Sequence, residues 1–183
     1  MKPGDYWAMK NKALLCGGHS KFGKVFAELL EEHYDLTNLN RQQINSPDIL
    51  DDLDDDYDFI FFNHNRGTGG FEDLNESIKI NCMLPYRIVK KQKQLRKVGW
   101  MITGDCHLNM GYPTNHYSLD ESFQCYVVIK SIHMAQQRYF SQQYNTFVCD
   151  PGMLNDENHL SKAEELLGFS LSDDESDLIY MNR

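Results

Sequence analysis

Short apolar runs alternate along the chain with longer stretches whose apolar positions recur at helical spacing, the pattern of a parallel sheet covered by helices. KALLC at 12–16 is a buried-strand run stopped by two glycines, and after it Phe22, Val25, Phe26, Leu29 and Leu30 recur as one helix face. YDLTNLN at 34–40 is a second, less apolar strand, and Ser46 with Pro47 then stands where a short helix is capped and opened. DFIFFN at 58–63 is the clearest strand. The stretch 71–97 reads as helix, with Pro85 marking a kink or a seam between two helices. GWMIT at 99–103 is a strand, an irregular Gly-, Pro-, Asn- and Tyr-rich stretch runs through Asp120, and 121–143 is one helix. TFVCD at 146–150 is a strand halted by Pro151 and Gly152; SKAEELLGF at 161–169 is a last helix and DLIYM at 177–181 a last strand. Six or seven strands interleaved with helices predict an α/β protein with a doubly wound parallel sheet, whose ligands bind beyond the carboxyl ends of the strands.

Composition narrows the function. The 183 residues, 41% hydrophobic and 12% aromatic, suit a single domain spanning 1–183, with an N-terminal extension at 1–11. A formal net charge of −9 argues against a nucleic-acid partner, which requires a basic face. The acidic runs at 51–58 and 172–177 read as solvated loop or helix-end charge. No apolar stretch approaches the roughly 20 residues that span a bilayer, and the first residues lack the apolar centre of a signal peptide. A cytoplasmic protein with no membrane partner is expected. Five scattered cysteines without Cys-x-x-Cys spacing read as reduced, mostly buried thiols. Asp105-Cys106-His107 does not complete a tetrahedral ligand set, so no metal is expected.

Two features carry chemistry. CGGHSKFGK at 16–24 places Gly17, Gly18, His19, Ser20, Lys21, Phe22 and Gly23 between the first strand and an amphipathic helix. Glycines in that slot allow a tight turn and close approach of a pyrophosphate, which the helix's first N–H groups and dipole then meet. Tyrosine and lysine four residues apart, side by side on a helix face, occur as Tyr6–Lys10, Tyr86–Lys90 and Tyr126–Lys130. A tyrosine ionises near pH 10 when unperturbed, and a neighbouring ammonium lowers that value by favouring the phenolate.

Gly17 and Gly23, NHNRG after the apolar strand, Asn81 in the next helix, Tyr126 with Lys130, and Pro151-Gly152 after a later strand occur in one order. In that order the chain resembles the short-chain dehydrogenase/reductase family over nearly its whole length. The resemblance implies a Rossmann-like fold and singles out Tyr126–Lys130, which alone opens the helix after GWMIT. It implies that Tyr126 protonates a small carbonyl or deprotonates an alcohol, that Lys130 also binds the nicotinamide ribose, and that Asn81 holds a relaying water. The family's serine or threonine falls at Thr103, Gly104 or Asp105. An aspartate in that slot would oppose a developing oxyanion unless kept protonated. The stretch from Ile102 to Lys130 looks more like the deoxysugar reductase and epimerase branch. The family's central turn glycine is replaced here by Ser20 or Lys21. Arg41, after the second strand, with Lys21 favours the 2′-phosphate of NADP over NAD. Asn63, Asn65 and Gly67 correspond to the adenine side, with Pro151 and Gly152 completing the cofactor set. The resemblance also implies a homodimer or homotetramer paired through the Asn81 and Tyr126 helices. A nucleotide-binding scaffold or redox sensor that lost turnover is the alternative reading.

Overall fold

The computed structural model describes residues 10–64, 70–102, 121–151, 157–173 and 178–180. The chain runs β1 (Lys12–Cys16), α1 (Lys21–His33), β2 (Asp35–Leu39), α2 (Arg41–Ile44), α3 (Ile49–Asp52) and β3 (Phe59–Phe62). A 3-10 turn (Phe71–Asp73), α4 (Leu74–Ile78), a π-turn (Lys79–Met83) and α5 (Leu84–Lys91) follow. β4 (Lys97–Met101), α6 (Glu121–Phe140), β5 (Asn145–Asp150), α7 (His159–Leu171) and β6 (Leu178–Tyr180) complete it. The six strands form one sheet in the order β2-β1-β3-β4-β5-β6, every neighbouring pair parallel. The doubly wound α/β architecture expected from the sequence is therefore present. β2 and β6 are the edges, and the short helices α2 and α3 fill the connection from β2 back to β3.

Registers of Cys16 with Leu39 and Phe62, Phe62 with Trp100, and Met101 with Cys149 bring the carboxyl ends of five strands to one edge. The chain turns to β2 on one side of β1 and to β3 on the other, so the crevice where such sheets bind ligands opens directly over the end of β1.

Alternation along the buried strands builds a core on each face. Ala13, Leu15, Phe59, Phe61 and Phe147 pack under α1 and α7, with the rings of Phe61 and Phe147 stacked at 5.9 Å. Leu14, Ile60, Phe62 and Trp100 pack under α5 and α6, with Phe140 of α6 in the same cluster. Cys16, Cys82, Cys125 and Cys149 are buried thiols. The acidic run is answered locally: Lys12 pairs with Asp54 and Asp56, and Lys93 with Asp55. No described helix is long and apolar enough to cross a membrane.

The helix expected to reach residue 97 ends at Lys91, and Lys97 opens β4. Its ammonium is wholly buried, donates to the carbonyls of Phe169 and Ser172 at 2.8 and 2.7 Å, and lies 4.1 Å from the centre of the Phe169 ring. Arg96 beside it donates to Ser170 and Ser172 carbonyls and pairs with Asp58. Two cations thus close the carboxyl end of α7, where the helix dipole and unpaired carbonyls favour positive charge.

Candidate active site at the carboxyl edge of the sheet

The turn after β1 is built by three glycines and two polar side chains. Gly17 has φ +92°, and a Cβ there would lie 2.6 Å from the backbone N of His64, so the turn sits directly on the end of β3. A Cβ on Gly18 would meet Asn38 of β2 at 2.1 Å, and one on Gly23 would meet the Gly17 carbonyl at 2.5 Å. Ser20 caps α1 by accepting from the Gly23 N–H at 2.9 Å. Asn63 donates to Ser20 Oγ at 3.0 Å and to the Gly17 carbonyl at 3.1 Å, which locks the turn to β3. Lys21 and Phe22 are the first two residues of α1, at the positive end of its dipole. The first turn carries no acidic residue, and the Lys21 side chain is exposed. The arrangement favours an anion over the turn. The Phe22 ring belongs to the core, stacked on Phe26, so only its backbone faces the site. His19 is exposed.

Beyond β2, Asn40 and Gln43 form a reciprocal cap that opens α2. This places Arg41 at the first helical position, with an exposed side chain that makes no ion pair among the described residues.

Tyr126 and Lys130 occupy successive turns of α6. Tyr126 is half-buried, Lys130 only 2% exposed, and the ammonium lies 5.4 Å from the centre of the tyrosine ring. Lys130 Nζ donates to the Met101 carbonyl at 2.8 Å. That bond anchors it at the carboxyl end of β4, on the same edge as the glycine turn. Tyr86, of another Tyr–Lys pair, packs on Tyr139 and Phe140.

The helix carrying Asn81 contains a π-turn, whose cause is legible in its sequence. Leu84 donates to the Lys79 carbonyl five residues back. The next residue, Pro85, has no N–H to give either to Ile80, five back, or to Asn81, four back. Side chains take both carbonyls: His64 Nε2 lies 3.0 Å from Ile80 O and His133 Nε2 lies 2.6 Å from Asn81 O. Gln136 donates to the adjacent Cys82 carbonyl at 2.7 Å. Because a carbonyl only accepts, both imidazoles carry their proton on Nε2. Burial holds both neutral, pushing His64 down to about 4 and His133 well below its ordinary value, with Lys130 adding in the same direction. Burial likewise pushes the Cys82 thiol up to about 12.

Asn81 is fully buried and its carbonyl belongs to His133. No sequence motif gives His133 or Gln136 a role, and His64 enters only as a filling within NHNRG. The signal for two of them was there: with Lys130 they form a polar stripe at spacings of three residues along α6. At the end of β5, Pro151 is buried and its carbonyl accepts from the buried Lys162 of α7. Thr103, Gly104, Asp105, Asn65, Gly67, Gly152 and Tyr6 lie outside the described residues, as does the Asp105-Cys106-His107 segment.

No protein-family model matches the chain, and no curated protein does. Solved structures do. A small-chain dehydrogenase aligns with TM-score 0.70 at 13% identity, over 94% of this chain and 96% of that one. A carbonyl reductase from Pseudomonas aeruginosa PAO1 aligns with TM-score 0.69 at 13% identity, over 93% of this chain and 95% of that one. The Bordetella bronchiseptica enzyme WbmF in complex with NAD+ aligns with TM-score 0.64 at 13% identity, over 94% of this chain and 73% of the enzyme. At such identities the likeness is one of architecture: this chain has the fold of the short-chain dehydrogenases.

Proposed function

We propose that the chain is a nicotinamide-dependent oxidoreductase of short-chain dehydrogenase/reductase type, preferring NADP(H) over NAD(H) and acting on a small carbonyl or alcohol. The observation that carries this reading is the buried Lys130 ammonium 5.4 Å from the Tyr126 ring, at the strand edge that also bears the glycine turn. The residues fit a dinucleotide. Backbone rather than side chains lines the turn at Gly17 and Gly18, where a Cβ would collide with β3 or β2. The first N–H groups of α1 suit its pyrophosphate, and Lys21 and Arg41 suit a 2′-phosphate. Asn65 and Gly67 complete the adenine side, and Pro151 and Gly152 the nicotinamide side.

Bound nicotinamide supplies or takes the hydride. Tyr126 delivers its phenolic proton to the carbonyl oxygen during reduction and recovers it from the alcohol in the reverse direction. Lys130 stabilises the phenolate between those events and holds the ribose. The resemblance assigns the hydrogen bond to the reacting oxygen to the slot held by Thr103, Gly104 or Asp105. Subunits pair through the helices that carry Asn81 and Tyr126, where Met83 of the π-turn and Val128 and Tyr139 of α6 are exposed by 43%, 41% and 47%.

A second reading, a nucleotide-binding scaffold without turnover, is favoured by one feature: the carbonyl of Asn81 is already taken by His133. A panel of small aldehydes and ketones, with NADPH and then NADH, separates the two. Oxidation above the background of Tyr126→Phe supports the enzyme. Nucleotide binding with equal background in both proteins supports the scaffold, and no nucleotide-dependent rise in melting temperature at millimolar NADP or NAD contradicts both.

A further inference from the structure

A groove of about 720 Å³ lies between the segment joining α2 to α3 and the helix formed by α4, the π-turn and α5, and it shares no lining residue with the glycine turn or the Tyr126–Lys130 pair. On the helix side its residues are 76, 79, 80, 83, 84 and 87, at the three- and four-residue spacing that brings side chains onto one face. Ile44, Ile49 and Leu84 line it from buried positions, Leu50 and Ile80 from half-buried ones, and Met83 is exposed.

Both walls are tied down. Asn40 and Gln43 cap α2 reciprocally, and Asn45 donates to the Arg41 carbonyl at 2.5 Å. Lys91 of α5 donates to the Leu50 and Leu53 carbonyls, each at 2.5 Å, which fixes α3 to the opposite wall. His64, His133 and Gln136 hold the carbonyls of the π-turn. The groove is therefore preformed, and its size falls within the roughly 300–1,000 Å³ of small-molecule sites.

Charge decides what it takes. Glu76 and Lys79 pair with each other at 2.5 Å. Arg87 is exposed and makes no hydrogen bond or ion pair among the described residues. The nearby carboxylates of Asp48, Asp51 and Asp52 do not line the groove. Lys79 and Arg87 against Glu76 leave the lining with one net positive charge, in a chain whose formal charge is −9. A guanidinium presents a planar fork of donors that fits a carboxylate bidentately. A phosphate monoester would bring close to two charges to this single unanswered cation.

We infer that the groove binds a medium-chain acyl carboxylate, with its chain over Ile44, Ile49 and Ile80 and its carboxylate on Arg87. From Ile80 to Arg87 the helix rises about 10 Å, at 1.5 Å per residue, the length of an extended eight-carbon chain. Apolar side chains remove the methylenes from water, and Arg87 selects the anion. This site is independent of the reaction assigned to the Tyr126–Lys130 pair.

Octanoate is the probe, titrated into the full chain and followed by NMR through the methyl signals of Ile44, Ile49, Ile80 and Met83. Saturable binding at about 1 mM or below is expected. Arg87→Met is expected to weaken it about tenfold or more, as the loss of a charge-assisted pair, whereas uncharged octanol binds wild type and variant alike. Arg87 holds no other described residue, so the variant is expected to melt with wild type. Met83→Trp, at an exposed position, fills the groove and is expected to abolish octanoate binding. Equal octanoate affinity in wild type and Arg87→Met, shifts confined to other methyl signals, displacement of octanoate by NADP, or no binding overturns the inference. A groove covered instead by a second copy would appear as a dimer that Arg87→Met or Met83→Trp dissociates, with no octanoate bound, and that result overturns it as well.

Discussion

Adding one methyl group at two glycines tests the turn that places the site. At Gly17 the backbone has φ +92°, and the new Cβ would lie 2.6, 2.7 and 2.9 Å from His64 N, His64 Cα and Asn63 C. These are backbone atoms at the end of β3, tied by Asn63 to the turn itself, so no rotamer change relieves the clash. Left-handed strain costs about 1–3 kcal/mol and overpacking about 1–3 kcal/mol more. A central sum of about 4 kcal/mol, at about 2–4 °C per kcal/mol for a chain of this size, lowers the melting temperature by about 8–16 °C. At Gly168, inside α7, a Cβ meets nothing within 4 Å. There the helix gains about 1 kcal/mol of propensity over glycine, and melting rises by about 2–4 °C. Thermal unfolding followed by circular dichroism reads both variants. Gly17→Ala melting within 2 °C of wild type, or Gly168→Ala melting lower than wild type, would refute the reasoning.

Further outcomes follow from the same geometry. Tyr126→Phe is expected to cut kcat by about 10²–10⁴ through loss of the proton donor, with nucleotide affinity unchanged, read by NADPH oxidation and by calorimetric titration. Arg41→Glu is expected to weaken NADP about tenfold or more while leaving NAD within about twofold, measured as dissociation constants at one salt concentration; equal effects on both nucleotides would remove Arg41 from the 2′-phosphate. His64 is depressed from 6.5 to about 4 by burial, so the unfolded chain binds the extra proton between those values. Stability is full above pH 6.5 and is lost as pH falls toward 4, by about 3 kcal/mol, with His133 adding in the same direction. Urea midpoints at stepped pH read this, and a flat profile from pH 7 to 4.5 would contradict it. Lys97→Met leaves the Phe169 and Ser172 carbonyls without this donor and is expected to cost about 1–3 kcal/mol in urea unfolding.

Most of the fold was written in the apolar pattern. FIFF is buried at every position, and the run at 12–16 stops where Gly17 must turn. Lys97 was misplaced because a lysine in a buried strand is indistinguishable, in one sequence, from a helix-end lysine; only α7, some 70 residues later, supplies the carbonyls that explain it. Pro85 announced a break but not its form. The missing N–H frees two carbonyls, and the residues that take them come from β3 and α6, distant in sequence. Phe22 was counted with the cofactor turn because of its neighbours, whereas its ring serves the core. The Tyr126–Lys130 pair was legible from spacing and place in the order; the histidines behind it were not, since buried imidazoles read as ordinary surface or core residues until their partners are known.

The central claim is that the glycine turn and the Tyr126–Lys130 pair, held on different strands' ends, serve one dinucleotide. Calorimetric titration of NADP into wild type and Lys130→Met, each checked for folding, tests it most directly. Saturable binding by wild type, weakened at least tenfold in the variant, about 1.4 kcal/mol, is the expected result. Identical isotherms for the two proteins, or no heat from wild type at millimolar nucleotide, would contradict it.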